Sequence, residues 1–359
     1  MKRIIFTVTN DLNYDQRMQR IAGSLSAQGY SILLVGRKKA KSTILRTQAF
    51  QQKRLFCFFE KGFLFYAEYN IRLFLFLMIT KADIVCAIDL DTILPCYYSS
   101  LLKNQKRVYD AHEIFTEQAE IIHRPRVQKF WLRIEAFAVP RFRMGYTVNQ
   151  FIADYFKEKY GVTYAVIRNL PVLYPLENYA TEGYILYQGA VNQGRCFETL
   201  IPAMQSVNAP LWICGEGSFL EQTKQLIQQY KLEDKVLLKG MVSPDQLIHI
   251  TQKAAIGLTL FSLEGLNQYQ SLGNRFFDYM MAGILQLCVN YPEYQKINAT
   301  HGFAHMMDEP DSISIAQELN KMLNDRVLYQ ELQQNALKAR SVLNWEQEEV
   351  KLRAFYNQL

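Results

Sequence analysis

Short apolar segments alternate along this chain with segments whose apolar residues recur at helical spacing. In the first part of the sequence, residues 4–9, 31–35 and 84–88 are strand-like, and residues 16–28 have a helical pattern that ends at Gly29. Strands that alternate with helices are typical of a parallel sheet covered by helices on both faces. The pattern therefore predicts an α/β protein of the doubly wound, Rossmann-like type.

The alternation pauses near residue 171 and then begins again. Pro171, Pro175, Asn178 and Gly183 interrupt it, and residues 184–188 form the next strand-like segment. The length of 359 residues also exceeds one ordinary hydrophobic core, because domains typically have about 100–200 residues. We therefore predict two tandem Rossmann-like domains that face each other across a cleft.

The predicted domains differ in charge. Residues 1–170, the first domain, contain 26 Lys and Arg against 14 Asp and Glu, whereas the rest of the chain contains 14 against 20. The second domain is predicted to span residues 171–343, and a last helix, about residues 344–359, is predicted to pack back on the first domain.

The basic charge of the first half predicts an anionic partner, such as phosphates, a membrane surface or nucleic acid.

The cysteines and the most apolar stretch bear on the compartment. The six cysteines form no Cys-x-x-Cys pair, which favours free thiols in a reducing compartment over disulfides. Glu68, Asn70 and Arg72 interrupt the apolar residues 63–80, so we do not expect a transmembrane helix. We expect a cytoplasmic protein.

Two segments of the second half leave a strand and enter a helix through glycines. Residues 187–195 turn through Gly189 and Gly194 and end at Arg195, whereas residues 262–283 contain Gly273 just before a helical pattern. Backbone N–H groups at a helix N-terminus carry partial positive charge and suit phosphates. Each segment taken alone is either a simple turn or a phosphate loop, but two such segments in one domain favour a diphosphate site.

Six short stretches carry the strongest signal by their order and spacing: Asp-Gln-Arg at 15–17, Tyr-Asp-Ala-His-Glu at 109–113, Gln-Gly with Gly-Arg at 188–195, Cys-Gly-Glu-Gly at 214–217, Asn-Arg-Phe-Phe-Asp at 274–278 and Asn-Trp-Glu at 344–346. In this order and at this spacing they resemble family 4-type retaining glycosyltransferases with a GT-B fold, the bacterial glycosyl transferase group 1 type. The resemblance covers nearly the full length.

The resemblance implies that the second domain binds a nucleotide-diphosphate sugar. Arg195 matches the family's diphosphate-binding cation, and Gly273 and Asn274 match backbone contacts to the phosphates or sugar. Two family glutamates, one for the sugar hydroxyls and one for the ribose, correspond to Gln270 and Asp278. Gln270 keeps the hydrogen bonding but loses the charge, which leaves the sugar open.

Further donor contacts are implied around these positions. Arg275 is a second phosphate contact, and Ala190 stands where the family usually has an arginine. Gly240, Met241 and Val242 match a loop that often contacts the base. The remaining predicted donor-binding residues are the glycines at the strand ends, Gly189, Gly194 and Gly215.

In the first domain, the resemblance gives His112 a hydrogen bond to the donor sugar and makes it a catalytic candidate together with Arg195 and Arg275. Glu113 is expected to fix its loop or to contact the acceptor. The other predicted acceptor-side residues are Asp15, Arg17 and Asp89. Asp89 begins an Asp-x-Asp tripeptide, a metal motif in the other glycosyltransferase fold, but we favour a cleft-lining or helix-capping role and predict no metal.

Aromatic and basic residues are mixed in several segments of the first domain: 53–59, 63–66, 71–78, 124–126, 129–133 and 141–143. Basic residues beside aromatic anchors suit an anionic membrane surface. The same pattern also arises when the aromatic rings are core and the cations are solvated. A lipid-linked acceptor would favour the membrane interpretation and a location at the inner face of the cell membrane.

The sequence thus predicts a glycosyltransferase that moves a sugar from a nucleotide-diphosphate sugar to an acceptor hydroxyl, with retention and without metal or other cofactor. UDP-sugar is the first choice of donor and GDP-sugar the second. A glycan or lipid-linked acceptor fits assembly of a surface polysaccharide or glycolipid. The alternatives are a GT-B nucleotide-sugar epimerase, a catalytically inactive sugar-nucleotide binder, and a protein that binds polyanions or nucleic acid through its basic half. No recognised nucleic-acid motif is present, so we expect no nucleic acid partner.

Overall fold

Two parallel β-sheets organise the chain. The computed structural model describes residues 1–40, 42–177 and 180–359, so Asn178, one of the predicted connector residues, lies outside the described residues. The first compact unit comprises Met1–Glu117, Ile121–Asn169 and Glu348–Leu359, and the second comprises Gln118–Glu120 and Leu170–Gln347. The predicted α/β class with two Rossmann-like sheets is confirmed.

The sheet of the first unit is parallel throughout its described strands, in the order β3-β2-β1-β4-β5-β6-β7. The strands are Arg3–Thr7 (β1), Ser31–Lys38 (β2), Gln51–Phe56 (β3), Ile84–Ile88 (β4), Lys106–Ala111 (β5), Met144–Thr147 (β6) and Ala165–Val166 (β7). The helices up to residue 169 are Gln16–Ala27 (α1), Gly62–Ile79 (α2), Ile93–Leu102 (α3), Ala119–Ile122 (α4), Pro125–Ala138 (α5) and Gln150–Tyr160 (α6).

The sheet of the second unit is also parallel, in the order β10-β9-β8-β11-β12-β13. Its strands are Ile185–Gln188 (β8), Leu211–Cys214 (β9), Val236–Gly240 (β10), Ile256–Thr259 (β11), Leu285–Val289 (β12) and His305–Met307 (β13). Its helices are Phe197–Ala203 (α7), Leu220–Gln229 (α8), Pro244–Lys253 (α9), Leu266–Tyr269 (α10), Asn274–Ala282 (α11), Pro292–His301 (α12), Ser312–Asn324 (α13) and Arg326–Arg340 (α14).

The last helix, Trp345–Asn357 (α15), ends in the core of the first unit. Tyr356 is fully buried there, and its ring lies 6.1 Å from that of Phe6 and 6.2 Å from that of Tyr146. Tyr30 donates from its hydroxyl to the Tyr356 carbonyl at 3.1 Å. Aromatic rings at these separations pack favourably, so the C-terminal residues complete the first core.

The central strands of both sheets are fully buried. Every residue of β4, β8 and β12 is buried, as expected for parallel strands covered on both faces. All six cysteines are buried free thiols, which confirms the expectation from their spacing.

One described helix, α2 (Gly62–Ile79), is long and apolar enough by length and composition to cross a membrane. Only 22% of it is buried. Glu68, Asn70 and Arg72 therefore do not exclude this helix as a candidate for membrane contact.

Candidate functional site

Both sheets have a switch point where the strand order reverses, and ligands of such folds bind beyond the carboxyl ends of the strands there. In the second unit this point lies between the neighbouring strands β8 and β11. The loop after β8 carries Gly189, Gly194 and Arg195, and the chain after β11 carries Gln270 and Gly273. Topology alone therefore brings the two glycine-containing segments to one edge of the sheet.

Close backbone approach fixes the loop after β8. The Gly189 N–H donates to the Cys214 carbonyl at 2.9 Å, and the Val191 N–H donates to the Glu216 carbonyl at 3.0 Å. A Cβ atom on Gly215 would lie 1.8 Å from the Gly189 carbonyl oxygen, and Gly215 has a φ of 155°. Only glycine fits such a contact, so Gly215 holds the Gly189 loop in place.

Two arginines converge at this edge. The Arg275 guanidinium lies 4.3 Å from the centroid of the Tyr187 ring and 5.0 Å from that of Phe261, whereas Arg195 lies 4.5 Å from the Phe261 centroid. A Cβ built on Gly189 would be 3.6 Å from an Arg275 Nη atom. Stacking on aromatic faces orients both guanidinium groups beside the glycine loop.

The site carries uncompensated positive charge. Neither Arg195 nor Arg275 forms an ion pair with a carboxylate within the described part of the chain, and Arg195 Nε and Arg275 Nη1 are buried without a hydrogen-bond partner. Burial, and next the charge of Arg275, lowers the pKa of Arg195. Arg275 is also the second residue of α11, where the helix N-terminus adds partial positive charge. This arrangement suits a bound anion, because buried charges are normally paired.

Asp278, one turn into α11, belongs to a row of hydrogen-bonded side chains whose other members, Gln188 and Thr251, were not predicted as site residues. The Gln188 side-chain amide donates to Asp278 Oδ2 at 3.0 Å, and Gln188 in turn accepts from the Thr251 hydroxyl at 2.8 Å. Gln188 is buried at the end of β8. These bonds orient the carboxylate of Asp278, the residue expected to bind ribose hydroxyls.

Other residues hold the second glycine segment. Tyr294, not identified from the sequence, accepts a hydrogen bond from the Gly273 N–H at 2.8 Å. Gln268 is buried, and a Cβ on Gly194 would lie 2.3 Å from its side-chain amide. Gln270 follows α10 directly and is half-buried. Asn274 is the first residue of α11 and is exposed.

The predicted base-binding loop lies further along the same edge. Gly240 ends β10 with a φ of 64°, Met241 is 50% exposed, and Val242 is partly buried. Because β10 is the outermost strand beside β9, this loop is two strands away from β8. Its contact with a base stays a prediction.

In the first unit, Asp89 and His112 follow the neighbouring strands β4 and β5. His112 Nε2 lies 3.0 Å from Asp89 Oδ2, and Asp89 has a φ of 56°. Burial, and next the charge of Glu113, holds the pKa of Asp89 well above its usual range, while burial lowers the pKa of His112. The ligand atoms of Asp89, His112 and Glu113 lie within 4.8 Å of one another, a spacing that also suits metal ligands. The expectation of no metal thus stays a prediction.

Two further residues of the first unit have local partners. Asp15 caps α1, since its carboxylate accepts from the Met18 N–H at 3.1 Å. Arg17 is buried and forms a bidentate ion pair with Asp110, at 2.8 and 3.1 Å. Arg17, on α1, therefore binds the residue of β5 that lies two positions before His112. Its expected contact with an acceptor stays a prediction.

Comparison with known proteins identifies the type of domain and fold. Residues 175–339 match the family described as glycosyl transferases group 1. None of the curated protein sequences matches this chain.

Solved structures resemble the whole chain. Sucrose-phosphate synthase from Thermosynechococcus elongatus has a TM-score of 0.81 at 14% identity, covering 100% of this chain and 99% of that one. HepE from Anabaena, in complex with UDP and glucose, has a TM-score of 0.78 at 14% identity, with 100% of both chains covered. WaaG, a glycosyltransferase involved in lipopolysaccharide biosynthesis, has a TM-score of 0.73 at 16% identity, covering 97% and 99%. The matched residues 175–339 lie in the second unit, and the whole chain has the GT-B fold of the glycosyltransferases that it resembles.

Proposed function

We propose that this protein is a retaining glycosyltransferase that takes its sugar from a nucleotide diphosphate. The observation that carries the proposal is a pair of cations beside the Gly189 loop, the half-buried Arg195 and the buried Arg275, neither of which forms an ion pair with a carboxylate among the described residues. A diphosphate supplies negative charge of the size and spread that two arginine forks can bind.

The same charge serves the reaction. As the bond between the anomeric carbon and the diphosphate oxygen breaks, negative charge grows on that oxygen, where the two guanidinium groups and the N-terminus of α11 stabilise it. The acceptor oxygen bonds to the anomeric carbon on the face that the diphosphate leaves, so the configuration is retained. The proton of the acceptor hydroxyl passes to the departing phosphate.

UDP-sugar is our first choice of donor, and GDP-sugar the second. The structurally similar HepE was solved with UDP and glucose, which supports uridine without fixing the sugar. Asp278, oriented by Gln188 at 3.0 Å, accepts hydrogen bonds from the ribose hydroxyls. Gln270 contacts the transferred sugar through its amide.

We assign the acceptor to the first unit. His112, oriented by Asp89 at 3.0 Å, hydrogen-bonds the sugar, and Glu113 contacts a glycan or lipid-linked acceptor. No metal takes part, because the arginines neutralise the diphosphate. The proposed setting is assembly of a surface polysaccharide or glycolipid in the cytoplasm, at the inner face of the cell membrane.

Thermal unfolding with UDP, GDP, ADP, dTDP and CMP tests the donor site. A ligand that binds only the folded protein stabilises it by about 2.7 kcal/mol at one hundred times its Kd. We expect one diphosphate to raise the Tm of the wild type and not that of Arg195→Ala.

Arg340→Ala is the matched control. Arg340 lies in the same unit, bonds the Tyr174 carbonyl and lies 5.6 Å from the Tyr174 ring centroid, yet it has no part in the proposed site. Its variant should keep the full ligand shift. If no nucleotide shifts the wild type, the proposed function is wrong.

A further inference from the structure

Helix α2 is strongly apolar, interrupted by Glu68, Asn70 and Arg72, but it lies mostly outside the core. Only four of its 18 residues are buried: Phe65, Tyr69, Leu73 and Leu77. An exposed apolar face of this kind marks a site of contact with another protein or with a membrane. Something other than the rest of the first unit is therefore expected to cover it.

The buried residues fix α2 against the sheet. They recur every four residues and form one face of the helix. The Tyr69 hydroxyl donates to the Val8 carbonyl, and the Asn70 amide donates to the Asp91 carbonyl at 2.9 Å. These bonds hold one face of the helix on the unit, which leaves the opposite, outer face for contact with a membrane.

The outer face of α2 is aliphatic. Leu64, Ile71, Leu75 and Ile79 are 54%, 61%, 58% and 84% exposed. They are seven, four and four residues apart and so lie on one side of the helix. The acidic residue between them, Glu68, accepts from Arg72 Nε at 2.8 Å and from two backbone N–H groups, so its charge is compensated.

A basic helix continues this surface. Arg126, Lys129 and Arg133 of α5 are exposed and three and four residues apart, which places them on one side. The exposed rings of Phe63 on α2 and Phe130 on α5 join the two helices, with their centroids 6.0 Å apart. We call these exposed residues of the two helices the α2–α5 face.

The α2–α5 face is one part of the mixed aromatic and basic sequence that stays outside the core. Trp131 and Phe65, in the same segments, are buried and belong to the core. The core interpretation of the sequence pattern therefore applies to Trp131 and Phe65, whereas the membrane interpretation concerns the exposed residues.

We propose that the α2–α5 face binds the surface of an anionic lipid bilayer. Aliphatic and aromatic side chains enter the boundary between head groups and acyl chains, while the three cations contact lipid phosphates. A second copy of the chain fits less well, because a symmetric contact would bring the same cations together. A nucleic acid would bind the cations but has no apolar surface to bury the exposed aliphatic side chains of α2. The proposal does not depend on nucleotide binding.

Flotation with lipid vesicles tests the proposal on the full chain. We expect the protein to float with vesicles of equal parts phosphatidylglycerol and phosphatidylcholine, and to bind pure phosphatidylcholine at least about tenfold more weakly, since each basic residue near the surface adds about 1 kcal/mol. Failure to float with the anionic vesicles at low salt would overturn the proposal.

Matched variants locate the surface. Ile71→Gln with Leu75→Gln should lower binding to the anionic vesicles about tenfold or more, because each removes apolar area from the interface. The control is Ile313→Gln with Val327→Gln, two positions of the second unit that are even more exposed than Ile71 and Leu75, at 70% and 75%. Equal binding by both double variants would contradict the assignment of the face.

Charge variants separate lipid binding from self-association. Replacing Arg126, Lys129 and Arg133 together by Gln should weaken binding to anionic vesicles at least about tenfold, whereas the same change at the exposed Lys231, Arg326 and Lys338 should not. Sedimentation measures the oligomeric state in parallel. A dimer that Ile71→Gln with Leu75→Gln dissociates, in a protein that does not bind vesicles, would show that a second copy covers the face.

Discussion

Arg195 and Arg275 share the ring of Phe261, with their guanidinium carbons 4.5 and 5.0 Å from its centroid. Two like charges in one partly buried site disfavour the protein without ligand and favour the protein with a bound anion. This relationship has consequences for both affinity and stability.

Replacing Arg195 by Gln should separate these two effects. We expect the affinity for the bound diphosphate to fall about tenfold to a hundredfold, since a hydrogen bond to a charged group contributes about 1.5–3 kcal/mol. The Tm without ligand should stay the same or rise, because the repulsion of Arg275 is removed. Titration calorimetry and thermal unfolding measure the two quantities. A variant that loses stability in proportion to its affinity would point to a structural role for Arg195.

Gly215→Ala should disturb the site through its neighbour. The new Cβ would lie 1.8 Å from the Gly189 carbonyl oxygen, at a φ of 155°. We expect the loop to move, diphosphate binding to weaken and the second unit to lose about 1–3 kcal/mol of stability. Gly23→Ala is the control, because nothing lies within 4 Å of its added Cβ and Gly23 is inside a helix. That variant should be as stable as the wild type or more so; normal diphosphate binding by Gly215→Ala would contradict the assignment of this loop.

Asp278 should let the protein distinguish ribose from deoxyribose. If its carboxylate accepts from the ribose hydroxyls, the wild type binds UDP about tenfold more tightly than 2′-deoxy-UDP, or GDP more tightly than 2′-deoxy-GDP. Asp278→Ala should bind both forms of the nucleotide with the same affinity. Calorimetry on the four combinations of protein and ligand gives the coupling directly. A preference for the ribose form that survives in Asp278→Ala would remove this residue from the ribose site.

Asp91 gives the first unit a defined pH dependence. Burial raises the pKa of its carboxyl from 3.8 to about 6, against a hydrogen bond of 2.6 Å from the Thr9 hydroxyl. Because the folded protein binds this proton more tightly than the unfolded chain, the contribution is stabilising below about pH 4 and is lost as the pH rises through about 6.

Asp91→Asn has no such proton and should not show this loss. Its stability relative to the wild type should increase by about 2–3 kcal/mol between about pH 4 and about pH 7. Chemical denaturation of both proteins across this pH range measures the difference in their free energy of unfolding. The contributions of the other titrating groups largely cancel in this difference. A constant difference would show that Asp91 does not titrate there.

Much of the fold follows from local pattern. The strand Ile84–Ile88 has the bounds that the sequence predicts, because it is a short apolar run. The helix Asn274–Ala282 begins directly after Gly273, as predicted. Strand β3 (Gln51–Phe56) was not predicted, since as an edge strand it is only half-buried and has no apolar run. Strand β7 (Ala165–Val166) has only two residues. Such elements depend on a neighbouring strand more than on their own sequence.

Some residues of the candidate site could be predicted from the sequence, and others could not. Arg195 and Arg275 could be found because glycines beside a strand or helix start mark them in sequence. The sequence does not reveal Phe261, Gln188 and Tyr294, because each contacts a residue that is distant in sequence. Phe261 packs against Arg195, Gln188 bonds Asp278, and Tyr294 bonds Gly273. Only the fold brings these pairs together. Arg17 matched a family motif in sequence, but its partner Asp110 lies 93 residues along the chain.

A crystal structure of the protein with UDP, or with whichever diphosphate stabilises it, tests the central claim most directly. We predict phosphate oxygens within hydrogen-bond distance of both Arg195 and Arg275, at the N-terminus of α11. A diphosphate bound elsewhere on the protein, with both guanidinium groups out of its reach, would contradict the assigned donor site and the function built on it.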